Sequence, residues 1–362
     1  MPDSVYKNLQ RQLDRFPLGF PQTESGVELE ILKRLYTPEE ASIALMLQLK
    51  PEEPGAIAAR MRRNEMELAE RLAAMSAKGL AFRTDRDGRV LYNAIPFMIG
   101  LYEYSVKRID KDLAQLFNQY YEEAYQAEMG ISNVPGFKVI PIQKFINANI
   151  ALFPYQKIEE DIRSARVIAV SECVCRKEAK LLGHGCDMPM ETCLSFGLAA
   201  EYYVSSGLGR AITSDEAIAI VKKADDAGLV HAGVNAKHLS NICNCCPCCC
   251  ASMKGIVQKG HDKNKYFNAL FEPVIEVDLC TACEMCVDRC PVEAMKIDNV
   301  AVVDPERCLG CGLCASGCPS EAITMALRKP IDEPYESAHA LFSSILTAKK
   351  QKQRENEKPG SQ

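Results

Sequence analysis

All eighteen cysteines of this 362-residue chain fall after residue 172, and eight of them form one spaced run written twice. The first copy is Cys280-x2-Cys283-x2-Cys286-x3-Cys290-Pro291; the second is Cys308-x2-Cys311-x2-Cys314-x3-Cys318-Pro319. The likeness extends past the cysteines, because Cys290-Pro291-Val292-Glu293-Ala294 matches Cys318-Pro319-Ser320-Glu321-Ala322 at an offset of 28 residues. Duplication at a fixed period predicts two half-units related by an approximate two-fold. Three thiols at i, i+3 and i+6 on a tight loop wrap one face of a metal centre, and the fourth leaves on the next turn. The proline after it turns the chain and donates no N–H. Zinc sites favour paired CxxC over three cysteines in register followed by Cys-Pro, so the spacing argues against zinc knuckles.

This repeat resembles the bacterial dicluster ferredoxin family, in which the fourth cysteine of each run ligates the cluster built by the other run. The resemblance covers residues 272–328. It implies two [4Fe-4S] clusters and one-electron transfer. Cys280, Cys283, Cys286 and Cys318 would hold one cluster, and Cys308, Cys311, Cys314 and Cys290 the other. For this module it implies a βαββαβ-type fold.

The other ten cysteines match no spacing rule. Cys173-Val174-Cys175-Arg176 is followed by Cys186 and Cys193, and Cys243-Asn244-Cys245-Cys246-Pro247-Cys248-Cys249-Cys250 puts six cysteines into eight positions. Such density has no packing rationale, since adjacent side chains in a regular element point different ways. The chain starts MPDSVYKNLQRQLDRF, without the apolar stretch of a secretion signal, and no run of about 18 apolar residues could span a bilayer. A soluble protein of a reducing, cytoplasmic setting is expected, where clustered thiols read as metal ligands before disulfides. All ten are candidate ligands, of which a subset binds. At least one further iron–sulfur cluster is expected; ligand count leaves open one cluster or two, a non-cubane cluster, or a zinc. Arg176 and Lys177 read either as charges that offset a thiolate-ligated cluster or as ordinary solvated side chains. His184 is expected at the surface or in a hydrogen bond, because cysteines oversupply the site. His231, His238, His261 and His339 stand alone on predicted helices or loops.

An apolar content of 47% with 25% charged residues describes a globular protein of two or three domains, and a net charge of −5 exerts no global pull toward nucleic acid or anionic lipid. The fold class expected is α+β and multidomain. Residues 1–25 read as a loose arm and 26–103 as a winged-helix-like module. Helix signals there include Leu29, Ile31, Leu32 and Leu35, the box Thr37-Pro38-Glu39-Glu40, and Glu65–Lys78 ended by Gly79. A hairpin turns on Asp87-Gly88. Residues 104–165 read as a helical connector, with one long helix over 104–129, a Pro/Gly-rich stretch from Pro135 to Pro154, and a helix near Lys157–Ser164. Residues 166–271 read as a mainly helical, cysteine-rich domain. It opens with a short strand at Val167–Val170 and contains a capped helix from Thr213 to Ala227; Gly207-Leu208-Gly209-Arg210 is a loop leading into that helix. Within the ferredoxin module at 272–328, strands are expected at Val274–Asp278 and Ile323–Leu327, with a hairpin through Asp298-Asn299. Residues 329–362 read as a disordered tail.

A winged helix binds DNA through its second helix, and here that helix begins Glu65-Met66-Glu67-Leu68-Ala69-Glu70. Carboxylates at the end that would approach phosphate oppose binding, and Arg60, Arg62 and Arg63 only partly compensate. A docking or structural role is favoured over nucleic acid. The sequence has neither a Gly-x-Gly-x-x-Gly after a strand nor a Walker loop, so flavin, nicotinamide or nucleotide sites have no motif support. The leading expectation is an iron–sulfur electron-transfer protein, a low-potential component with a redox donor and acceptor rather than a stand-alone enzyme. Its alternatives are an oxidoreductase with a catalytic cluster in the central domain, or a redox-sensing DNA-binding regulator. Catalytic residues and oligomeric state are not legible.

Overall fold

The computed structural model describes residues 2–142, 146, 158–330 and 332–357. The N-terminal part is built from α1 (Pro2–Leu13), α2 (Val27–Leu35), α3 (Pro38–Ala44), α4 (Pro54–Met61) and α5 (Glu65–Ala77), followed by the hairpin β1 (Phe82–Arg86) and β2 (Arg89–Asn93). The expected caps are present. Thr37 accepts from the Glu40 N–H while the Glu40 carboxylate accepts from Thr37, which satisfies two orphan donors of α3. Asp87 and Gly88 both take positive φ, the geometry of a two-residue hairpin turn.

The arm expected over 1–25 is instead helical and packed. Tyr6, Leu9 and Leu13 recur at helical spacing and are buried, and the Tyr6 hydroxyl donates to the Tyr36 carbonyl at 3.0 Å. The polar residues between them hide that stripe from a composition-based reading. The long helix expected over 104–129 is also broken. A short α6 (Tyr102–Tyr104) ends in turns, Asp110 caps a new start by accepting from the Leu113 N–H at 2.9 Å, and α7 (Lys111–Tyr120) runs on through a wider turn into α8 (Gln126–Met129).

The central region departs furthest from expectation. Helices are present, but its frame is a seven-stranded sheet in the order β6-β4-β5-β8-β7-β3-β9. The strands are β3 (Phe137–Val139), β4 (Ile168–Glu172), β5 (Glu191–Phe196), β6 (Arg210–Ile212), β7 (Val230–Val234), β8 (Asn241–Cys245) and β9 (Phe267–Ala269). Every pairing is antiparallel except β3 with β9. The strands are short, and β7, Val-His-Ala-Gly-Val, is buried throughout, so neither shows the alternation that marks a half-exposed strand. Helices α9 (Ile158–Ser164) and α12 (Ser214–Asp226) cover one face, where Ile162, Val170, Leu194, Val221 and Ile242 share a core. α10 (Val174–Leu181), α11 (Leu198–Ser205) and α13 (Ala251–Lys259) complete this part. The Gly207–Arg210 loop leads into β6 rather than into a helix. Residue 157 of the expected helix, and residues 143–145 and 147–154 of the expected connector, lie outside the described residues.

The C-terminal module runs β10 (Phe271–Ile275), α14 (Met285–Asp288), β11 (Met295–Asp298), β12 (Val300–Val303), α15 (Leu313–Ser316) and β13 (Ile323–Leu327). This is a βαββαβ order, with β10 paired to β13 and β11 to β12. The first strand begins three residues before the position expected, and Val277–Leu279 form a 3₁₀ turn instead of continuing it. The tail is not disordered over its described length. Helix α16 (Ala338–Glu357) lays Leu341 and Ile345 against Val234 and Ala236, and Lys349 pairs with the buried Glu128 at 2.6 Å. No helix among the described residues is long and apolar enough to cross a membrane.

Candidate metal centres

The two copies in the C-terminal module carry the same backbone signature. Left-handed residues occur at Ala282, Glu284 and Glu293 in the first copy and at Gly310, Gly312 and Glu321 in the second, each pair separated by the repeat offset of 28 residues. Left-handed steps let a loop turn several thiols and N–H groups toward one point. The second copy needs glycine because it is enclosed, and a Cβ on Gly310 would fall 2.0 Å from the Phe271 carbonyl oxygen.

Thiols from both copies meet. A cavity of about 20 Å³ is lined by Cys290 together with Cys308, Cys311 and Cys314. Burial, and then the proximity of Cys314, Cys308 and Cys290, push the Cys311 thiol up. Burial likewise raises Cys286, with the nearby thiols of Cys280, Cys283 and Cys318 adding to the shift. Backbone N–H groups already point at sulfur: Ala294 to Cys290 at 3.1 Å, Ala301 to Cys280 at 3.4 Å and Gly310 to Cys308 at 3.4 Å. One group of four thiols around a small enclosed space, a second group gathered near Cys286, and N–H donors aimed at the sulfurs fit cubane clusters, which hold metal through thiolates and are tuned by such hydrogen bonds.

Residues 279–322 match the family described as the 4Fe-4S dicluster domain. The C-terminal module is a dicluster ferredoxin domain. Comparison of the whole chain with curated proteins and with solved structures gives no match. The ferredoxin module therefore stands on an N-terminal and central body for which only its own residues speak.

Ten further thiols lie in that body, and the fold sorts them into two sets. Cys173 caps α10, Cys175 sits in its first turn, and Cys250 caps α13, so the positive ends of two helices face the same space. The register of β5 with β8 pairs Leu194 with Ile242, which sets Cys193 opposite Cys243, and period-two alternation puts Cys245 on the Cys243 face. Cys173, Cys175, Cys193, Cys243, Cys245 and Cys250 line one cavity of about 60 Å³, which Cys246 of the second set also borders; Met98, Phe137 and Phe267 roof it and Glu103 touches it. Cys245 is buried, and Cys173, Cys175, Cys193, Cys243 and Cys250 are partly exposed. Hydrogen bonds from Cys173 and Cys250 hold the Cys175 thiol below its ordinary value, and Cys193 and Cys245 do the same for Cys243. Burial holds the Glu103 carboxyl well above the ordinary range, against the Gly100 N–H that donates to it at 2.7 Å.

The second set is Cys186, Cys246, Cys248 and Cys249, whose sulfurs all lie within 4.8 Å of one another. Cys246 and Cys249 are buried and Cys248 is exposed. Between the two sets stands Arg176, with 1% of its surface exposed. It donates to the Asn244 carbonyl at 2.9 Å and to the Thr192 hydroxyl, and reaches the Cys246 sulfur at 3.9 Å. Burial opposes its charge, but the thiols of Cys173, Cys246 and Cys245 outweigh that cost and hold the guanidinium above its ordinary value. Of the two roles open to Arg176 in the sequence, the solvated one is thereby removed. Lys177 keeps a partly exposed pair with Glu172 at 2.8 Å, and His184 is exposed.

His231 escaped sequence reasoning. It lies on β7 rather than on a helix or loop, fully buried, with Nδ1 2.6 Å from Asn244 Oδ1. Asn244 in turn donates to the Thr192 carbonyl at 2.6 Å, so His231, Asn244, Thr192 and Arg176 form one network behind the thiols. The only signal was its place in an apolar five-residue run, which a lone histidine does not advertise.

The ferredoxin module is fastened to this body by Arg289, the residue before Cys290. Its guanidinium donates to the carbonyls of Asp225 at 2.9 Å and Asp226 at 3.3 Å at the end of α12, and within its own module to Leu313 at 3.0 Å. Two further cations, Lys263 and Arg328, converge on the Cys308 carbonyl at 2.6 and 2.9 Å.

Proposed function

We propose that this chain is a low-potential iron–sulfur electron-transfer protein of the cytoplasm, working between a redox donor and an acceptor as a component of a larger system. The observation that carries this reading is the seam at Arg289, which joins a dicluster ferredoxin module to a body holding a six-thiol cavity. A bound [4Fe-4S] cluster supplies reversible one-electron exchange. The chain's residues would order the route. Cys280, Cys283, Cys286 and Cys318 form the outer cage; Cys283 is exposed, as are Val277, Leu279 and Met285 nearby in sequence, which would offer an apolar contact surface. Cys290, Cys308, Cys311 and Cys314 form the inner cage, beside Lys263 and Arg328. Positive charge near a cluster favours its reduced state, so these two cations would raise the inner cluster above the outer one and draw electrons inward. The six-thiol cavity is the place for a further iron–sulfur cluster.

A redox titration followed by EPR tests this. Two ferredoxin signals and at least one further signal are expected, the inner ferredoxin cluster titrating at the higher potential. Fewer than two [4Fe-4S]⁺ signals on strong reduction would refute the reading.

The N-terminal module fits protein contact better than DNA. Two of the three arginines that would meet phosphate are engaged: Arg60 with Glu52 at 2.8 Å, and Arg63 with Glu39 at 2.8 Å and Glu67 at 3.1 Å. In a gel assay only weak, sequence-indifferent binding is expected, in the non-specific range of about 10⁻⁴–10⁻⁶ M.

A second reading, an oxidoreductase with its catalytic cluster in the central cavity, is favoured by one observation. That cavity has six thiols where a cubane takes four, and about 60 Å³ against about 20 Å³ for the inner ferredoxin cage. Glu103, which borders that cavity, would be the proton source there. Cys245→Ala separates the readings: electron transfer that survives while a reductase activity disappears selects catalysis.

A further inference from the structure

We infer that Cys186, Cys246, Cys248 and Cys249 hold one tetrahedrally ligated metal ion, zinc or iron, in place of a third cubane. The spacing of the sulfurs decides the size of the occupant. Metal–sulfur bonds of about 2.3 Å in a regular tetrahedron put neighbouring sulfurs about 3.8 Å apart. Here the Sγ atoms of Cys186 and Cys246 are 3.9 Å apart, those of Cys186 and Cys249 3.6 Å, and those of Cys248 and Cys249 3.7 Å. The ferredoxin cages give an internal comparison, because each is built to surround four irons. Among the described residues, neither cage brings three sulfurs within 4.8 Å of one another, whereas these four cysteines all do. A cage this tight has no room for a cube of iron and sulfide at its centre.

The ligand set suits a structural ion. Four cysteines close the tetrahedron and leave no position for water or substrate. Arg176, 3.9 Å from the Cys246 sulfur, offsets the surplus negative charge of four thiolates on a divalent ion.

The chain path gives the ion a task. Cys186 comes from the irregular loop between α10 and β5, and the other three come from the turn between β8 and α13. In that turn the two sets interleave. Cys243, Cys245 and Cys250 line the cavity, Cys248 and Cys249 belong to the ion site, and Cys246 joins the ion site while bordering the cavity. One ion therefore pins the backbone between cavity ligands, with Cys186 between Cys175 and Cys193 and Cys246, Cys248 and Cys249 between Cys245 and Cys250, and it accounts for six cysteines packed into eight positions. This inference stands apart from the electron-transfer reading and survives whatever occupies the cavity.

Metal and acid-labile sulfide counts on anaerobically purified full-length protein test it. Cubanes contribute iron and sulfide one to one, so the expected result is either one zinc per chain or one iron in excess of sulfide, which distinguishes the two ions. The double variant Cys186→Ser/Cys248→Ser should lose that one ion and keep its remaining iron and sulfide. Loss of four irons with four sulfides, or no loss of metal, overturns the inference. Should the variant fail to fold, X-ray absorption on the wild-type protein decides. Four sulfurs at about 2.3 Å around zinc, with no metal neighbour, support a single ion. Protein free of zinc whose iron equals its sulfide refutes it.

Discussion

Arg289 and Gly317 occupy the same position in the two ferredoxin repeats, 28 residues apart, and they touch: a Cβ on Gly317 would fall 2.1 Å from Arg289 Cδ. One copy lacks a side chain so that the other copy's arginine can cross the pseudo-two-fold and reach α12. Gly317 has φ of −94°, which any residue adopts, so the glycine is required by space and not by backbone conformation.

Gly317→Ala should therefore dislodge Arg289 from the Leu313, Asp225 and Asp226 carbonyls. A loss of about 1–3 kcal/mol is expected from overpacking and broken charged hydrogen bonds. In an Arg289→Ala background the same alanine should cost little, a coupling that a double-mutant cycle on thermal unfolding measures. Additive losses would refute the relationship. Arg289→Ala should also slow electron passage between the ferredoxin module and the central body without changing iron content.

Much of the C-terminal module was legible because its constraints are local. The ligand spacing, the prolines and the Asp298-Asn299 turn act within a few residues, and the repeat writes each one twice. The central body was not legible for the opposite reason. Its thiols are gathered by strand register across long sequence separations: Cys193 meets Cys243 only because Leu194 pairs with Ile242. The strands that do this are too short, and too buried on both faces, to show a period. Arg176 was noticed from its place beside Cys175, yet its burial depends on β8 and could not be read there. Helices α1 and α16 were missed because their few apolar residues find partners far along the chain.

Crossed ligation in the ferredoxin module has a spectroscopic signature. Cys290 lies with Cys308, Cys311 and Cys314, although it follows Cys286 in sequence. Cys290→Ser and Cys311→Ser should each remove the inner cluster, leave one of the two ferredoxin clusters, and give the same residual EPR spectrum. Cys283→Ser should instead leave the inner cluster, with a different g-tensor and a higher potential than the outer cluster that survives in the other two variants. Should Cys290→Ser and Cys283→Ser leave the same cluster, each run ligates its own.

Arg176 is a positioning residue for both thiol sets, because it touches sulfur on one side and the Asn244 carbonyl on the other. Arg176→Met keeps the volume but removes the charge and both donors. The expected effects are a 10–100-fold loss of affinity for the ion at Cys246, and a negative shift in the potential of the cavity cluster. The dicluster potentials should not move, since Arg176 contacts neither cage. Chelator competition and redox titration measure the two effects. A uniform shift in all clusters would point instead to general unfolding.

The C-terminal helix is held by one enclosed ion pair. Lys349 and Glu128 are 6% and 4% exposed, 2.6 Å apart, and the same carboxylate accepts from the Gly19 N–H at 2.7 Å. Burial raises the Glu128 carboxyl above its ordinary value of 4.5, and Lys349 pulls it back only in part. Lys349→Met leaves that carboxylate buried and unpaired, at a cost of about 3–5 kcal/mol. The pH dependence follows from the sign of the shift. A carboxyl with a raised folded-state value binds its proton more tightly when folded, so stability is retained at low pH and lost as pH rises through that value. Without Lys349 the value climbs further. The deficit of the variant should thus be small near the ordinary carboxylate value and grow to its full size at neutral pH. Thermal unfolding under anaerobic conditions at about pH 5 and about pH 8 checks this, and Glu128→Leu combined with Lys349→Met should recover much of the loss. A pH-independent deficit would refute the role of the Glu128 charge, and no deficit would mean that the ion pair contributes nothing to stability.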